Sequence, residues 1–123
     1  MQTRMFIYQP GSDEPVVSTI ELAEQPGYDA LKAIVEPHLD GGHLERVAVL
    51  FDPNNENHVH EGVQCDLFVD DDGMRKRLPV NYAATRIYHA ASRRRNPQMS
   101  QAEASRMPPI YGVAVVFDRR VWF

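Results

Sequence analysis

The sequence has little of several features that would narrow its function at once. Its single cysteine, Cys65, cannot form an internal disulfide, so nothing argues for an oxidising compartment. No apolar run approaches the roughly 18 residues of a membrane span, and the first ten residues lack the apolar core of a signal peptide. A glycine-rich phosphate loop is also absent. We therefore expect a cytoplasmic protein with no membrane partner and no cofactor.

The composition is that of an ordinary folded domain. Of 123 residues, 43% are hydrophobic and 24% are charged, which is typical of globular proteins. A chain of this length buries a sizeable core without disulfides or metal. We expect one domain covering residues 1–123.

The charges are unevenly distributed along the chain. Residues 1–72 hold three Lys or Arg and fifteen Asp or Glu, whereas residues 73–95 hold seven Lys or Arg and no acid. One basic segment therefore interrupts a chain whose net charge is −4. Such an asymmetry points to an anionic partner, or to acidic and basic regions that face each other within the fold or across a homodimer.

The hydrophobic patterns predict the order β-β-α-β-β-β-α-β. Apolar or alternating runs predict strands at 5–8, 16–22, 45–51 and 110–117, and the run at 45–51 indicates a strand covered on both faces. Helical spacing predicts a helix over 28–39, although Pro37 favours an end near Val35. The sequence therefore predicts an α+β domain with a mostly antiparallel sheet of about five to six strands and two main helices on one face.

The stretch from Asp66 to Arg95 predicts a hairpin followed by the second helix. Asp72-Gly73 separates two runs and supplies the positive φ angles of a two-residue turn. Asn81 is a good N-cap for a helix that ends at Asn96-Pro97. Beyond it we expect a loop over 96–109 with a helical turn at 100–107, and a docked apolar segment at 121–123.

Three blocks of this sequence resemble a family of small proteins from phage, plasmid and bacterial genomes known as domain of unknown function 3846. The blocks are LKAIV at 31–35 with GHLERV at 42–47, DLFVDDDG at 66–73 with LPVN at 78–81 and ATRIY at 84–88, and IYGVAVV at 110–116. The family has no established activity or catalytic residues, so the resemblance assigns no site. The resemblance implies a compact accessory protein of mobile-element origin.

The basic segment 73–95 supplies the candidate binding site. Guanidinium groups suit phosphate and carboxylate ligands, and the segment carries several of them close to an aromatic ring. The candidate ligand-binding residues are Arg75, Arg77, Asn81, Tyr82, Arg86 and Arg93. Asn81 has a second interpretation as a purely structural cap, and a solvated charged face is the structural interpretation of the arginines. The leading hypothesis is a binding module for an anionic ligand, a nucleic acid or a protein, although the net charge disfavours nucleic acid.

The alternative hypothesis is a small metal-dependent enzyme or metalloprotein. His58 and His60 point the same way in an extended segment, and Cys65, Asp66 or His43 would complete a metal site. The spacing matches no standard zinc pattern, which favours a polar loop. Cys65 is also a candidate nucleophile, although no nucleophile motif surrounds it and a buried structural cysteine is favoured.

Overall fold

The computed structural model describes residues 1–39, 41–51 and 63–123. Within them the chain forms an α+β fold, with a five-stranded sheet, two helices of at least eight residues and one short helix. The elements are β1 (Gln2–Tyr8), β2 (Val16–Glu21), α1 (Tyr28–Val35) followed by a 3-10 helix (Glu36–His38), β3 (Leu44–Phe51), β4 (Val63–Asp70), α2 (Tyr82–Arg95), α3 (Gln101–Ser105) and β5 (Ala114–Phe117).

The sheet is antiparallel throughout and has the order β2-β1-β5-β4-β3. β5 lies in the centre, so the last strand of the chain joins the two hairpins β1-β2 and β3-β4. Phe6 of β1 stands opposite Val17 of β2 on one side and Val116 of β5 on the other. Val116 in turn stands opposite Leu67 of β4. The predicted β3 is present and lies at the sheet edge, with Val49 buried in one core and Leu44 in the other.

Helices cover both faces of the sheet, which corrects the prediction that they share one face. Successive strand residues point to opposite faces, so the apolar runs of β1, β4 and β5 supply two cores. The core beneath α2 consists of Phe6, Tyr8, Val49, Cys65, Leu67, Val69, Ala83, Ala84, Ile87, Ala91, Ile110, Ala114 and Val116. The core beneath α1 and the chain end consists of Met5, Ile7, Leu22, Leu31, Val35, Leu39, Leu44, Phe68, Val113, Val115, Phe117 and Val121.

The predicted second hairpin strand is absent, because residues 71–77 form consecutive turns. The Asp70 carboxylate holds these turns from the end of β4. Its Oδ1 accepts from the Asp72 backbone N–H at 2.8 Å and its Oδ2 accepts from Lys76 Nζ at 2.7 Å. The Lys76 backbone N–H also donates to the Asp72 carbonyl at 3.0 Å. A carboxylate that satisfies local donors competes with the sheet ladder that a second strand would need.

Gly73 lies where space is tight, and it does not have the positive φ that the hairpin prediction assigned to it. The left-handed residue of this turn is Arg77, whose φ is 56°. A Cβ atom on Gly73 would lie 3.2 Å from the Tyr111 carbonyl oxygen, closer than most side chains tolerate. Gly112, with a φ of 79°, similarly interrupts the predicted strand 110–117, and only residues 114–117 join the sheet.

Several local predictions are confirmed. The first helix ends at Val35 and continues as the 3-10 helix that contains Pro37. Ser100 caps α3 by accepting from the Glu103 backbone N–H at 3.0 Å. Val121 is fully buried and Trp122 packs against the core, so docking is confirmed for these two residues, whereas Phe123 is 58% exposed. None of the helices in the described ranges has the length and apolar character needed to cross a bilayer.

Candidate functional site

Helix α2 begins at Tyr82 because Asn81 caps it. The Asn81 Oδ1 accepts from the Ala84 backbone N–H at 3.1 Å. One face of the helix packs on the sheet through buried Ala83, Ala84, Ile87 and Ala91. The opposite face presents Tyr82, Arg86, His89 and Arg93, whose spacings of four, three and four residues place them in one row along the helix.

The short helix α3 packs beside this row and closes a groove. Ala104 is the buried contact residue of α3, whereas Gln101 and Ser105 are exposed along the groove. The groove has a volume of about 360 Å³. Its lining residues are Tyr82, Thr85, Arg86, His89, Ala90, Arg93, Gln101, Ala104 and Ser105. Two guanidinium groups, one imidazole and no carboxylate therefore line the groove.

The two arginines of the groove differ in their present partners. Arg86 donates to the Asp13 carboxylate at 2.8 Å, and both side chains are largely exposed. Arg93 is exposed, and no carboxylate in the described part of the chain lies within ion-pair distance of it. His89 Nε2 lies 3.3 Å from the Pro108 carbonyl oxygen. Because that oxygen only accepts, the contact is a hydrogen bond when Nε2 carries the proton, and it joins the ring to the loop after α3.

Only part of the predicted site is brought together by the fold. Tyr82, Arg86 and Arg93 line the groove. Arg75 and Arg77 lie on the 71–77 turn, where Arg75 donates to the Asp72 carboxylate. This hydrogen bond holds the pKa of Asp72 below its ordinary value. The two arginines do not share a strand face as predicted, because the strand does not form.

Asn81 is a structural residue. It is fully buried, and its Nδ2 donates to the Tyr8 and Gly112 carbonyl oxygens, each at 2.9 Å. Together with the cap to Ala84, these contacts use both amide donors and the side-chain oxygen, and the buried side chain offers no surface to a ligand. The cap interpretation is confirmed, and we exclude Asn81 from the candidate site.

His89 and the α3 side of the groove were not predicted from the sequence. The spacing of His89, three residues after Arg86 and four before Arg93, was the signal that placed it in the same row. Gln101 and Ser105 gave no such signal, because nothing local indicates that α3 packs against α2.

A second cleft on the other side of the 108–109 loop has the opposite electrostatic character. Its volume is about 340 Å³, and its walls include Val47, Val69, Met74, Tyr88 and Tyr111. The acidic residues Glu45, Asp70 and Asp71 also line it, and no basic residue does. An anion entering this cleft would be repelled by its acidic residues. The two clefts are similar in size, but the charges that line them have opposite signs.

The described residues of the metalloprotein alternative do not form a site. Cys65 and Asp66 are neighbours in β4 and point to opposite faces of the sheet. The Asp66 carboxylate already binds Arg46 and two backbone N–H groups. His43 is exposed and lies 3.6 Å from Glu36. No three His, Cys, Asp or Glu side chains within the described ranges are close enough together to hold a metal ion.

The other residues of the metalloprotein hypothesis are the two histidines of the predicted loop and the cysteine. His58 and His60 lie outside the described residues. Cys65 is fully buried, and burial, followed by the nearby Asp66 and Asp118 carboxylates, raises its pKa to about 12. A thiol with this pKa stays protonated near neutral pH, whereas nucleophilic cysteines need the thiolate. The structure therefore favours the core interpretation of Cys65.

Comparison with protein families, curated proteins and solved structures finds no match to this chain. The resemblance to domain of unknown function 3846 stays a prediction. The function must therefore be argued from the groove itself.

Proposed function

We propose that the protein is a small cytoplasmic binding module that holds an anionic ligand in the α2–α3 groove. The observation that carries this proposal is the lining of the groove, where Arg86, His89 and Arg93 project from one face of α2 with no carboxylate among the lining residues. Guanidinium groups bind carboxylate and phosphate oxygens in pairs of charge-assisted hydrogen bonds.

The size of the groove favours a small ligand over a long polymer. A volume of about 360 Å³ lies at the lower end of the range for small-molecule sites. Arg86 and Arg93 are separated by seven helical residues, which corresponds to about 10 Å along the axis. A long polyanion would extend past the groove onto a protein of net charge −4, where it is repelled. A compact ligand with one or two anionic groups stays within reach of the cationic row.

The test is to titrate the protein with pyrophosphate and, in a parallel experiment, with citrate, and to monitor both titrations by NMR. Saturable shifts at the α2–α3 groove are expected, and the stronger of the two probes shows whether phosphoryl or carboxylate groups are preferred. Arg93→Gln should weaken the binding of the preferred probe about tenfold, since a hydrogen bond to a charged group contributes about 1.5–3 kcal/mol.

Arg77→Gln is the matched control, because it removes the same charge from an exposed arginine outside the groove. It should leave the affinity within about twofold of the wild type, as expected for a distant, screened charge. Absence of saturable shifts with both probes would reject the proposal. Equal losses for the two variants would also reject it, because binding would then depend on overall charge and not on the groove.

A further inference from the structure

The turn between β1 and β2 places a carboxylate at one end of the groove. The Ser12 backbone N–H donates to the Gln9 carbonyl at 3.2 Å, and Ser12 Oγ donates to the Glu14 carbonyl at 3.1 Å. The Glu14 backbone N–H donates back to Ser12 Oγ at 3.3 Å. These contacts shape the turn that carries Asp13, and Asp13 Oδ1 accepts from the Arg86 guanidinium at 2.8 Å.

We propose that Asp13 is an internal competitor for the ligand of the groove, a proposal that rests on the proposed function. Arg86 lines the groove and is also the partner of Asp13. Asp13 occupies one N–H of this guanidinium through Nη2, and it neutralises the charge that an anionic group of the ligand would pair with. Arg93 has no such competitor among the described residues, so the ligand engages the Arg93 end directly and displaces Asp13 at the Arg86 end.

The exposure of the pair makes this competition reversible. The Arg86 and Asp13 side chains are 57% and 76% exposed, so solvent screens their attraction. Exposed ion pairs of this kind change equilibria by about fivefold or less. Asp13 therefore weakens ligand binding without preventing it. By linkage, ligand binding releases the β1–β2 turn from α2 to the same extent.

This linkage connects the groove with the free edge of the sheet. β2 is an edge strand, and Val16 and Val17 at its start are 60% and 50% exposed. Asp13 precedes them by three and four residues. Ligand binding in the groove therefore changes the attachment of the turn that leads into this edge.

The experiment compares pyrophosphate affinity in the wild type, Asp13→Asn and Glu14→Gln by the same NMR titration. Glu14→Gln removes one charge from the same turn and serves as the control for the general field. Asp13→Asn should bind pyrophosphate about two- to fivefold more tightly than Glu14→Gln, as expected from the loss of an exposed ion pair. In an Arg86→Gln background the Asp13→Asn change should bring no gain beyond that of Glu14→Gln, because the shared partner is gone and only the general field remains.

The outcomes separate this inference from the proposed function. Equal affinities for Asp13→Asn and Glu14→Gln, or weaker binding by Asp13→Asn, would overturn the competition while leaving the groove as an anion site. An Asp13→Asn gain over Glu14→Gln that persists in the Arg86→Gln background would also overturn it. Absence of pyrophosphate and citrate binding in every variant would reject the proposed function, and the inference with it.

Discussion

Asn81 connects three parts of the fold through one buried side chain. It joins the start of α2 to the end of β1 at Tyr8 and to the segment before β5 at Gly112. Two of these partners are distant in sequence, so the side chain supports tertiary structure as well as capping a helix. A buried amide with all of its partners satisfied stabilises one arrangement of the surrounding backbone.

Asn81→Ala should destabilise the protein by about 2–4 kcal/mol, because it removes the N-cap and the amide donor to the Tyr8 and Gly112 carbonyl oxygens. Urea denaturation measures this change. Ser100→Ala, which removes the exposed cap of the short helix α3, is the control and should cost about 1 kcal/mol or less. An Asn81→Ala cost equal to that of the control would show that the buried contacts contribute nothing.

Cys65 makes stability depend on pH in the alkaline range. Its pKa is raised from 9.0 to about 12 by burial and then by the Asp66 and Asp118 carboxylates. In the unfolded chain the thiol ionises near 9.0, so the stabilisation is complete below that pH and is lost as the pH rises toward 12. The free energy of unfolding should decrease by about 1 kcal/mol per pH unit within this window because of this group.

Cys65→Ala removes the ionising thiol. The difference between the two proteins in the slope of unfolding free energy against pH is therefore the contribution of this thiol. Urea unfolding between about pH 8 and about pH 10.5 gives both slopes. The variant should be less stable at pH 8 because of a small cavity, yet its stability should fall less steeply. Parallel slopes would contradict the assignment of a raised thiol pKa.

At the scale of elements, one buried carboxylate docks the end of the chain. Asp66 Oδ2 accepts from the backbone N–H groups of Val121 and Trp122 at 2.8 and 2.9 Å, and Oδ1 accepts from Arg46 Nε at 2.8 Å. The Trp122 ring packs against Phe68 with a centroid separation of 6.2 Å. The final segment thereby covers the face of the sheet that α1 leaves open.

Asp66→Ala should release this segment and destabilise the protein by about 3 kcal/mol, because two backbone donors and Arg46 lose their acceptor. Trp122 is the only tryptophan of the chain, so its fluorescence reports the release directly. A red shift of its emission in the folded variant is expected. Asp71→Ala, at an exposed acid beyond the end of β4, should leave the emission unchanged. Identical spectra for the two variants would contradict this docking role.

At the scale of the whole molecule, a single sheet serves two cores. β1, β4 and β5 contribute alternate residues to the layer under α2 and to the layer under α1. Loss of either layer exposes the apolar residues of the same strands. We therefore expect the layers to unfold together as one cooperative unit.

Ile87→Ala tests this cooperativity, because Ile87 packs under α2 and Trp122 reports on the opposite layer. A loss of about 2–5 kcal/mol is expected from truncation of a buried isoleucine. The urea midpoint measured by Trp122 fluorescence should shift by the same amount as the midpoint measured by circular dichroism. Leu31→Ala under α1 should likewise shift both midpoints together. Separate midpoints would show that the layers unfold independently.

The sequence by itself determined the features that depend on neighbouring residues. Capping by Asn81 and Ser100 and the helix end near Pro37 are local, because cap geometry and proline sterics act within a few residues. The α+β class also followed from the sequence, since apolar periodicity distinguishes strands from helices. The same patterns placed Tyr82, Arg86 and Arg93 near one another, because one helix carries all three.

Tertiary structure alone decided what depends on distant residues. The strand predicted after Gly73 does not form, because the Asp70 carboxylate organises residues 71–77 into turns. Tyr111 also lies close to Gly73. The helices lie on opposite faces because β5, distant in sequence, joins the two hairpins in one sheet with two apolar faces. The groove exists because α3 packs on α2, and Asp13 reaches Arg86 across 73 residues. Contacts over such separations leave no periodic signal in the sequence, so the partners of the cationic row appear only in the folded chain.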